Sequence, residues 1–390
     1  MRYLLLRLKR FCGFFTGLVF FLGGIVKLMD PVGAGLVMKE YLEFLHVGGL
    51  APAAKILGVL FAFAETMIGT ALITGIWRKL TAVAALSFQI FFTILTLLLV
   101  IYNPEMDCGC FGEAIHLTHM ETFLKNIVLL VMICTYLFPA RMLGVPVKSK
   151  FVSFGIVTVS VILFTVYSWI YIPIADFTDY KVASALKAGY EYENGEEIFE
   201  AVFVYEKDGV QERFDLGHLP DSTWTFVSTE TVAKEGNNDD KLIDLSFSDA
   251  EGNYHDELAA DGKVLVISLY NPNISDRKLE EISSLMADAE IAGFKPLLLV
   301  AGEPDVKWPE NTYYSDYKTL IAMNRSNGGA TYFSRGYLVH KWAARAVPDL
   351  DKLIELYGED ETETIIEQDT KGSLGFQGFL LYVFAVMLLL

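Results

Sequence analysis

Over the first 173 positions the apolar residues come in long runs and do not alternate. Five stretches, at about 11–29, 52–76, 80–102, 122–140 and 151–173, are separated by short polar segments. Each is close to the roughly 20 apolar residues a helix needs to cross a bilayer. Beyond Ile174 the texture changes. Residues 196–231 alternate with the period of strands, and Lys207-Asp208-Gly209 between Ile198–Glu206 and Val210–Leu216 predicts a β-hairpin. Trp224–Thr229 predicts a further strand, and the polar segment Lys234–Lys241 predicts a loop or linker. Lys263–Tyr270 is a continuous apolar strand, Ser275 or Asp276 caps a helix running to about Ala292, and Pro296–Ala301 is a second buried strand. That order is a βαβ unit, with parallel strands and a right-handed crossover. A short helix at Tyr317–Met323, a hairpin turning at Arg335-Gly336 and a helix from Pro348 to Tyr357 complete it. The charged stretch after Glu359 reads as a solvated face or spacer. Leu374–Leu390 is a last apolar run of 17 residues, a sixth crossing or an interfacial helix.

The predicted organisation is therefore a membrane bundle at 1–142, a fifth crossing at 151–173, and a hairpin-containing connector at 174–241. An α/β domain at 242–358, an acidic linker at 359–373 and a terminal helix at 374–390 follow. The fold class is a multi-pass α-helical membrane protein fused to an α/β domain.

Charge sharpens this division. Residues 1–172 carry 13 Lys and Arg against 8 Asp and Glu, while residues 173–390 carry 18 against 40. The strongly acidic half lacks the basic footprint of nucleic-acid binding, so the expected partners are the lipid bilayer and an extracytoplasmic protein. Basic residues collect before the first run (Arg2, Arg7, Lys9, Arg10), between the second and third (Arg78, Lys79) and between the fourth and fifth (Arg141, Lys148, Lys150). The positive-inside rule then places the N-terminus in the cytoplasm, and the loops at 30–51 and 103–121 outside. The large second half falls on the outer side too. The N-terminal run is not followed by a small-residue cleavage pattern, so it reads as a retained helix.

Four cysteines lie in the membrane half and none in the other. Cys108 and Cys110 share the outer loop, in Asp107-Cys-Gly-Cys-Phe-Gly112. Two thiols so close work as a dithiol/disulfide pair, as a static staple, or as part of a metal site. A disulfide across one intervening residue is strained and labile. A metal site needs more ligands than the pair with His116 or His119 supplies. Asp107 disfavours a thiolate by like charge, and the two histidines are candidate bases or cations. Cys12 and Cys134 read as small buried hydrophobes. Glu65 interrupts the second run, where a charged acid costs about 2.5–3.5 kcal/mol on insertion scales. It is expected to be protonated, paired or facing a polar cavity, either as a proton- or substrate-binding group or as a carboxyl bonded to a neighbouring helix through Thr66 or Thr70. Lys27, at the outer end of the first run before Asp30-Pro31, reads as a residue snorkelling to the headgroups.

The element Gly24–Gly33, acidic Glu65 and the Asp-Cys-Gly-Cys-Phe-Gly motif at 107–112 resemble the DoxX/MauE-like four-helix membrane family. The likeness is to its Bacteroidetes-type members with an appended extracytoplasmic thioredoxin-like domain. The resemblance implies disulfide formation or quinone-coupled redox work at the periplasmic face of the inner membrane, with Cys108, Cys110 and Glu65 as the site and a quinone as the possible cofactor. The order of elements at 242–358 resembles a thioredoxin-like fold. Asn271-Pro272-Asn273-Ile274 stands where such a fold carries its two cysteines, and Gly328-Gly329 where it carries a cis-proline. This domain therefore binds, docks or regulates. Two functions stay open: a redox protein working through Cys108 and Cys110, and a non-enzymatic assembly factor whose α/β domain holds a partner.

Overall fold

The structure, a computed structural model, describes residues 2–106, 108–138, 147–188, 199–207, 210–215, 220, 224–233, 242–305 and 307–389. Asp107, the hairpin turn at 208–209, the predicted linker at 234–241 and the end of the first predicted domain at 139–146 lie outside them. The chain divides into two compact units, Met1–Thr178 with Asp369–Leu390, and Asp179–Gln368.

The first unit is helical. Its elements are α1 (Arg2–Met29), α2 (Pro31–Phe44), α3 (Ala54–Thr74), α4 (Arg78–Tyr102), the short strand β1 (Cys110–Glu113), α5 (His119–Leu137) and α6 (Ser149–Ile170). The last helix of the chain, α10 (Glu361–Leu389), ends in it. Among the described residues six helices are long and apolar enough to cross a membrane: α1, α3 with its preceding 3-10 turn, α4, α5, α6 and α10. The protein is a multi-pass membrane protein.

Two features differ from the sequence reading. The segment after Asp30 is a helix. Asp30 caps it by accepting from the Gly33 amide at 2.9 Å, and Pro31 takes the first position, where its missing N–H costs nothing. Gly35 lies inside α2, where a Cβ would sit 2.8 Å from the Lys55 Cα. Second, the acidic segment expected to be a spacer is helical, and α10 runs without a break from Glu361 into the terminal apolar run. The end of α10 packs antiparallel on the start of α6. Lys150 Nζ donates to the Met387 and Leu388 carbonyls at 2.9 and 3.2 Å, and Ser153 Oγ to Val386 at 2.9 Å. These side chains satisfy carbonyls that a helix end leaves without partners. The Phe164 and Phe379 rings stack between the two helices, with centroids 4.4 Å apart.

The second unit holds two sheets. β3 (Phe199–Lys207), β4 (Val210–Asp215) and β5 (Thr225–Ala233) form an antiparallel sheet in the order β4-β3-β5, the predicted hairpin with its third strand. The larger sheet has seven strands: β2 (Ala185–Leu186), β6 (Leu242–Ile243), β7 (Lys263–Leu269), β8 (Lys295–Val300), β9 (Thr312–Tyr314), β10 (Gly329–Ser334) and β11 (Tyr337–Trp342), in the order β6-β2-β11-β10-β7-β8-β9. It is mixed. β7, β8 and β9 are mutually parallel, β10 runs against both β7 and β11, and α7 (Asp276–Ala292) makes the crossover from β7 to β8. β7 and β8 read as continuous apolar runs because the sheet is covered on both faces, one cluster holding Val264, Val266 and Leu299 and others holding Leu265, Ile267 and Leu298. The helices α8 (Tyr317–Met323) and α9 (Leu350–Gly358) fall where the sequence predicts them. The predicted connector also contributes to this sheet, through β2.

Candidate functional site

The site begins where α1 and α3 touch. A Cβ on Gly69 would lie 2.4 Å from the Phe21 amide nitrogen, and one on Gly24 would lie 2.2 Å from Thr66 Oγ1 and 2.7 Å from the Ala62 carbonyl oxygen. Only glycines permit so close a backbone approach, the device by which helices associate in lipid. One turn beyond Gly24, Lys27 Nζ donates to Glu65 Oε2 at 2.7 Å. The side chains are 16 % and 14 % exposed. Lys27 therefore turns inward, and the snorkelling geometry expected of it is not found, because an acid on the facing helix offers a stronger partner than the headgroups do. The Thr66 and Thr70 hydroxyls donate to the Ala62 and Thr66 carbonyls of their own helix at 2.8 Å and take no part in holding the carboxyl.

The cysteine loop folds over this pair. Gly109 and Gly112 have φ of +57° and +54°, and a Cβ on Gly109 would strike the Val37 side chain on α2 at 2.3 Å. The two left-handed glycines bend the chain back so that both cysteines face the bundle. The Tyr41 hydroxyl, also on α2, donates to the Cys108 carbonyl at 2.6 Å. Burial pushes the Tyr41 phenol far above its ordinary range, and the nearby Cys110, Cys108 and Glu40 push it further, so it stays a donor. Cys108 is buried at 4 % exposure and Cys110 is partly exposed; neither is in a disulfide. His119 contacts Cys108. Its Nδ1 lies 3.0 Å from Cys108 Sγ, and its Nε2 lies 3.0 Å from the Pro104 carbonyl oxygen. A capping box at Thr118 and Glu121 starts α5 there and fixes where His119 stands.

The two halves meet at Gly23. The place a Cβ would take on that residue lies 3.0 Å from Glu65 Oε1, 3.4 Å from the Cys110 carbonyl oxygen and 3.6 Å from the Phe111 ring. A cavity of about 300 Å³ opens beside them, lined by Lys27, Glu65, Cys108 and Cys110 together. Its walls are mostly apolar. Phe61, Phe88, Phe91 and Phe92 form an aromatic cluster, with the Phe88 and Phe92 centroids 4.8 Å apart. Lys125 lies over the Phe111 ring at 4.8 Å. Gln89 donates to the Asn126 carbonyl at 3.1 Å, and Asn126 donates to Thr96 Oγ1 at 3.2 Å, joining α4 to α5. The sequence reading missed these two amides. Their signal was single polar side chains inside apolar runs, the same mark that exposed Glu65.

The arrangement places two thiols, a carboxylate and two ammonium groups around one apolar space next to a histidine. A cavity of that kind suits electron and proton transfer at sulfur. Among the described residues no three His, Cys, Asp or Glu gather to hold a metal ion. Cys12 is buried among Phe20, Leu72 and Tyr136, as its reading as a small hydrophobe expects.

In the second unit, Asn271-Pro272-Asn273-Ile274 is tied to the loop at 324–329. The Asn271 amide donates to Asn327 Oδ1 at 2.9 Å, and Asn327 Nδ2 returns a bond to the Asn271 carbonyl at 3.0 Å. Asn324 is fully buried and brackets β10 to β11 through the Ala330 and Trp342 carbonyls, both at 3.1 Å. This loop spends these polar groups inside the domain.

Residues 3–139 match the family described as methylamine utilisation protein MauE, a span that contains every residue lining the cavity. Residues 199–235 match a domain of unknown function, DUF8463. No curated protein and no solved structure matches the chain.

Proposed function

We propose that the MauE-like membrane unit at residues 3–139 carries out thiol–disulfide exchange through Cys108 and Cys110. The observation that carries this reading is that one cavity collects both cysteines with Glu65 and Lys27. In its oxidised form the Cys108–Cys110 disulfide takes two electrons and two protons from a dithiol on a protein partner, leaving the partner with a disulfide and the pair as two thiols. Glu65 handles a proton beside Cys110, or contacts a carbonyl oxygen of an apolar acceptor such as a quinone that restores the disulfide from the cavity side. The distribution of Arg and Lys supports an inner-membrane orientation with the cysteine loop and the second unit in the periplasm, where disulfides persist. The strand run β8-β7-β10-β11, parallel then antiparallel, supports a thioredoxin-like reading of the second unit. It lacks cysteine and serves to position the partner.

The absence of cysteine after Cys134 also favours a second reading, in which the second unit is a docking module and Cys108 and Cys110 only shape their loop. The double variant Cys108→Ser/Cys110→Ser separates the two. Exchange chemistry predicts that it stays membrane-inserted yet no longer oxidises a reduced dithiol partner in membranes. Full function of that variant, with loss only on removal of 242–358, supports the docking reading.

A further inference from the structure

Resting on the exchange chemistry just described, we infer that the two cysteines have unequal roles: Cys110 meets the partner, Cys108 resolves, and His119 is the catalytic base that takes the Cys108 proton. Three observations carry this. Cys108 is buried to 4 % exposure, whereas Cys110 keeps partial access at the edge of β1 and lines the cavity. An incoming sulfur must approach along the axis of the bond it makes, so the more accessible thiol meets it first. Second, the Pro104 carbonyl only accepts, so the proton of a neutral His119 ring sits on Nε2 and the bare Nδ1 faces Cys108 Sγ at 3.0 Å. The Cys108 S–H therefore donates into a nitrogen already oriented to receive its proton, the activated-nucleophile geometry in which a third group orients the base. Third, the backbone of Cys108 is pinned by Tyr41, and Gly109 between the two cysteines holds a left-handed backbone that a side chain would strain.

The step balances. A disulfide probe X–S–S–X is attacked by the Cys110 thiolate, giving Cys110–S–S–X and one X–S⁻. Cys108 then passes its proton to His119 Nδ1 and attacks Cys110 Sγ, forming the Cys108–Cys110 bond and expelling the second X–S⁻. In reverse, a partner thiolate attacks Cys110 of the disulfide, and the leaving Cys108 sulfur recovers its proton from His119.

The test uses full-length protein in detergent with Cys12 and Cys134 replaced by Ala, and DTNB as the probe, following release of its coloured thiolate. The otherwise unaltered chain is expected to release two equivalents in two phases. Cys108→Ser releases one, at the rate of the first phase, and retains a stable adduct on Cys110. Cys110→Ser reacts at least about tenfold more slowly. His119→Ala leaves the first phase unchanged and slows the second by about tenfold or more, the lower range of general-base effects, and added imidazole restores it. The assignment is overturned if Cys110→Ser reacts as fast as Cys108→Ser, or if His119→Ala leaves the second phase unchanged or loses both phases beyond rescue by imidazole. Release of a single equivalent by the unaltered pair, with no disulfide formed, instead defeats the exchange chemistry itself.

Discussion

Replacing Lys27 by Met strands Glu65 in an apolar cavity. At 2.7 Å the two charges attract by about 6 kcal/mol at an effective dielectric of about 20. Desolvation of both ions offsets most of that, so the pair's net worth against two apolar groups is small. The cost of removing one partner is not small, because the survivor keeps its desolvation and loses its attraction: about 3–5 kcal/mol for a buried pair. Lys27→Met and Glu65→Gln are each expected to fall near that range, while the double variant recovers most of the loss. The coupling energy of the cycle then exceeds about 2 kcal/mol, well above the ~0.5 kcal/mol within which independent sites add. Unfolding free energies of the four proteins in bicelles measure it. Additive single effects would refute the reading of Lys27 and Glu65 as a coupled buried pair.

Three further outcomes follow from the same packing. Gly69→Ala puts a Cβ 2.4 Å from the Phe21 nitrogen, a backbone atom that cannot turn aside; parting α1 from α3 is expected to cost about 1–3 kcal/mol in the bicelle assay, while Gly155→Ala, with nothing within 4 Å, costs little. Gly109→Ala meets both a φ of +57° and Val37, so it loses about 1–2 kcal/mol from the backbone alone, and Val37→Ala in the same chain relieves only the clash. In the second unit His255 is raised, chiefly by its hydrogen bond to Asp249, and Asp249 is lowered, chiefly by Asn253 and then His255. The His255 contribution is complete below its unfolded value near 6.5 and fades as pH rises through the higher folded value; the Asp249 contribution is present above about 3.9 and fades as pH falls through the lower folded value. The difference in melting temperature between the parent chain and His255→Gln should therefore be greatest between about pH 4 and 6.5 and shrink on both sides.

The sequence announces the crossings because spans need uninterrupted apolar length, and all six return as helices. It announces the βαβ core for a related reason: a strand buried on both faces has no room for polar residues. What it leaves undecided is pairing across distance. Lys27 and Glu65 are 38 positions apart, and although small residues such as Gly69 signal close packing, nothing local says which helix they pack against, so Lys27 reads as an interfacial charge until the helices are placed. The loop sequence does not say what His119 meets; the capping box at Thr118 and the carbonyl of Pro104 place its ring against Cys108. α2 falls in the segment read as a loop at 30–51, because its apolar run is too short to stand out as a crossing, and only the structure shows Gly35 clearing the backbone of α3. The helical course of 361–373 is likewise invisible in a charged composition that suits a solvated spacer equally well.

The claim at the centre is that Cys108 and Cys110 change oxidation state as the protein works. Differential alkylation of membranes followed by mass spectrometry reads the fraction of the pair held as a disulfide. In respiring membranes the pair is predicted to be substantially oxidised, and to become reduced when a dithiol partner is supplied while respiration is blocked. A pair recovered as two thiols under every condition, with the protein fully functional, would contradict the account.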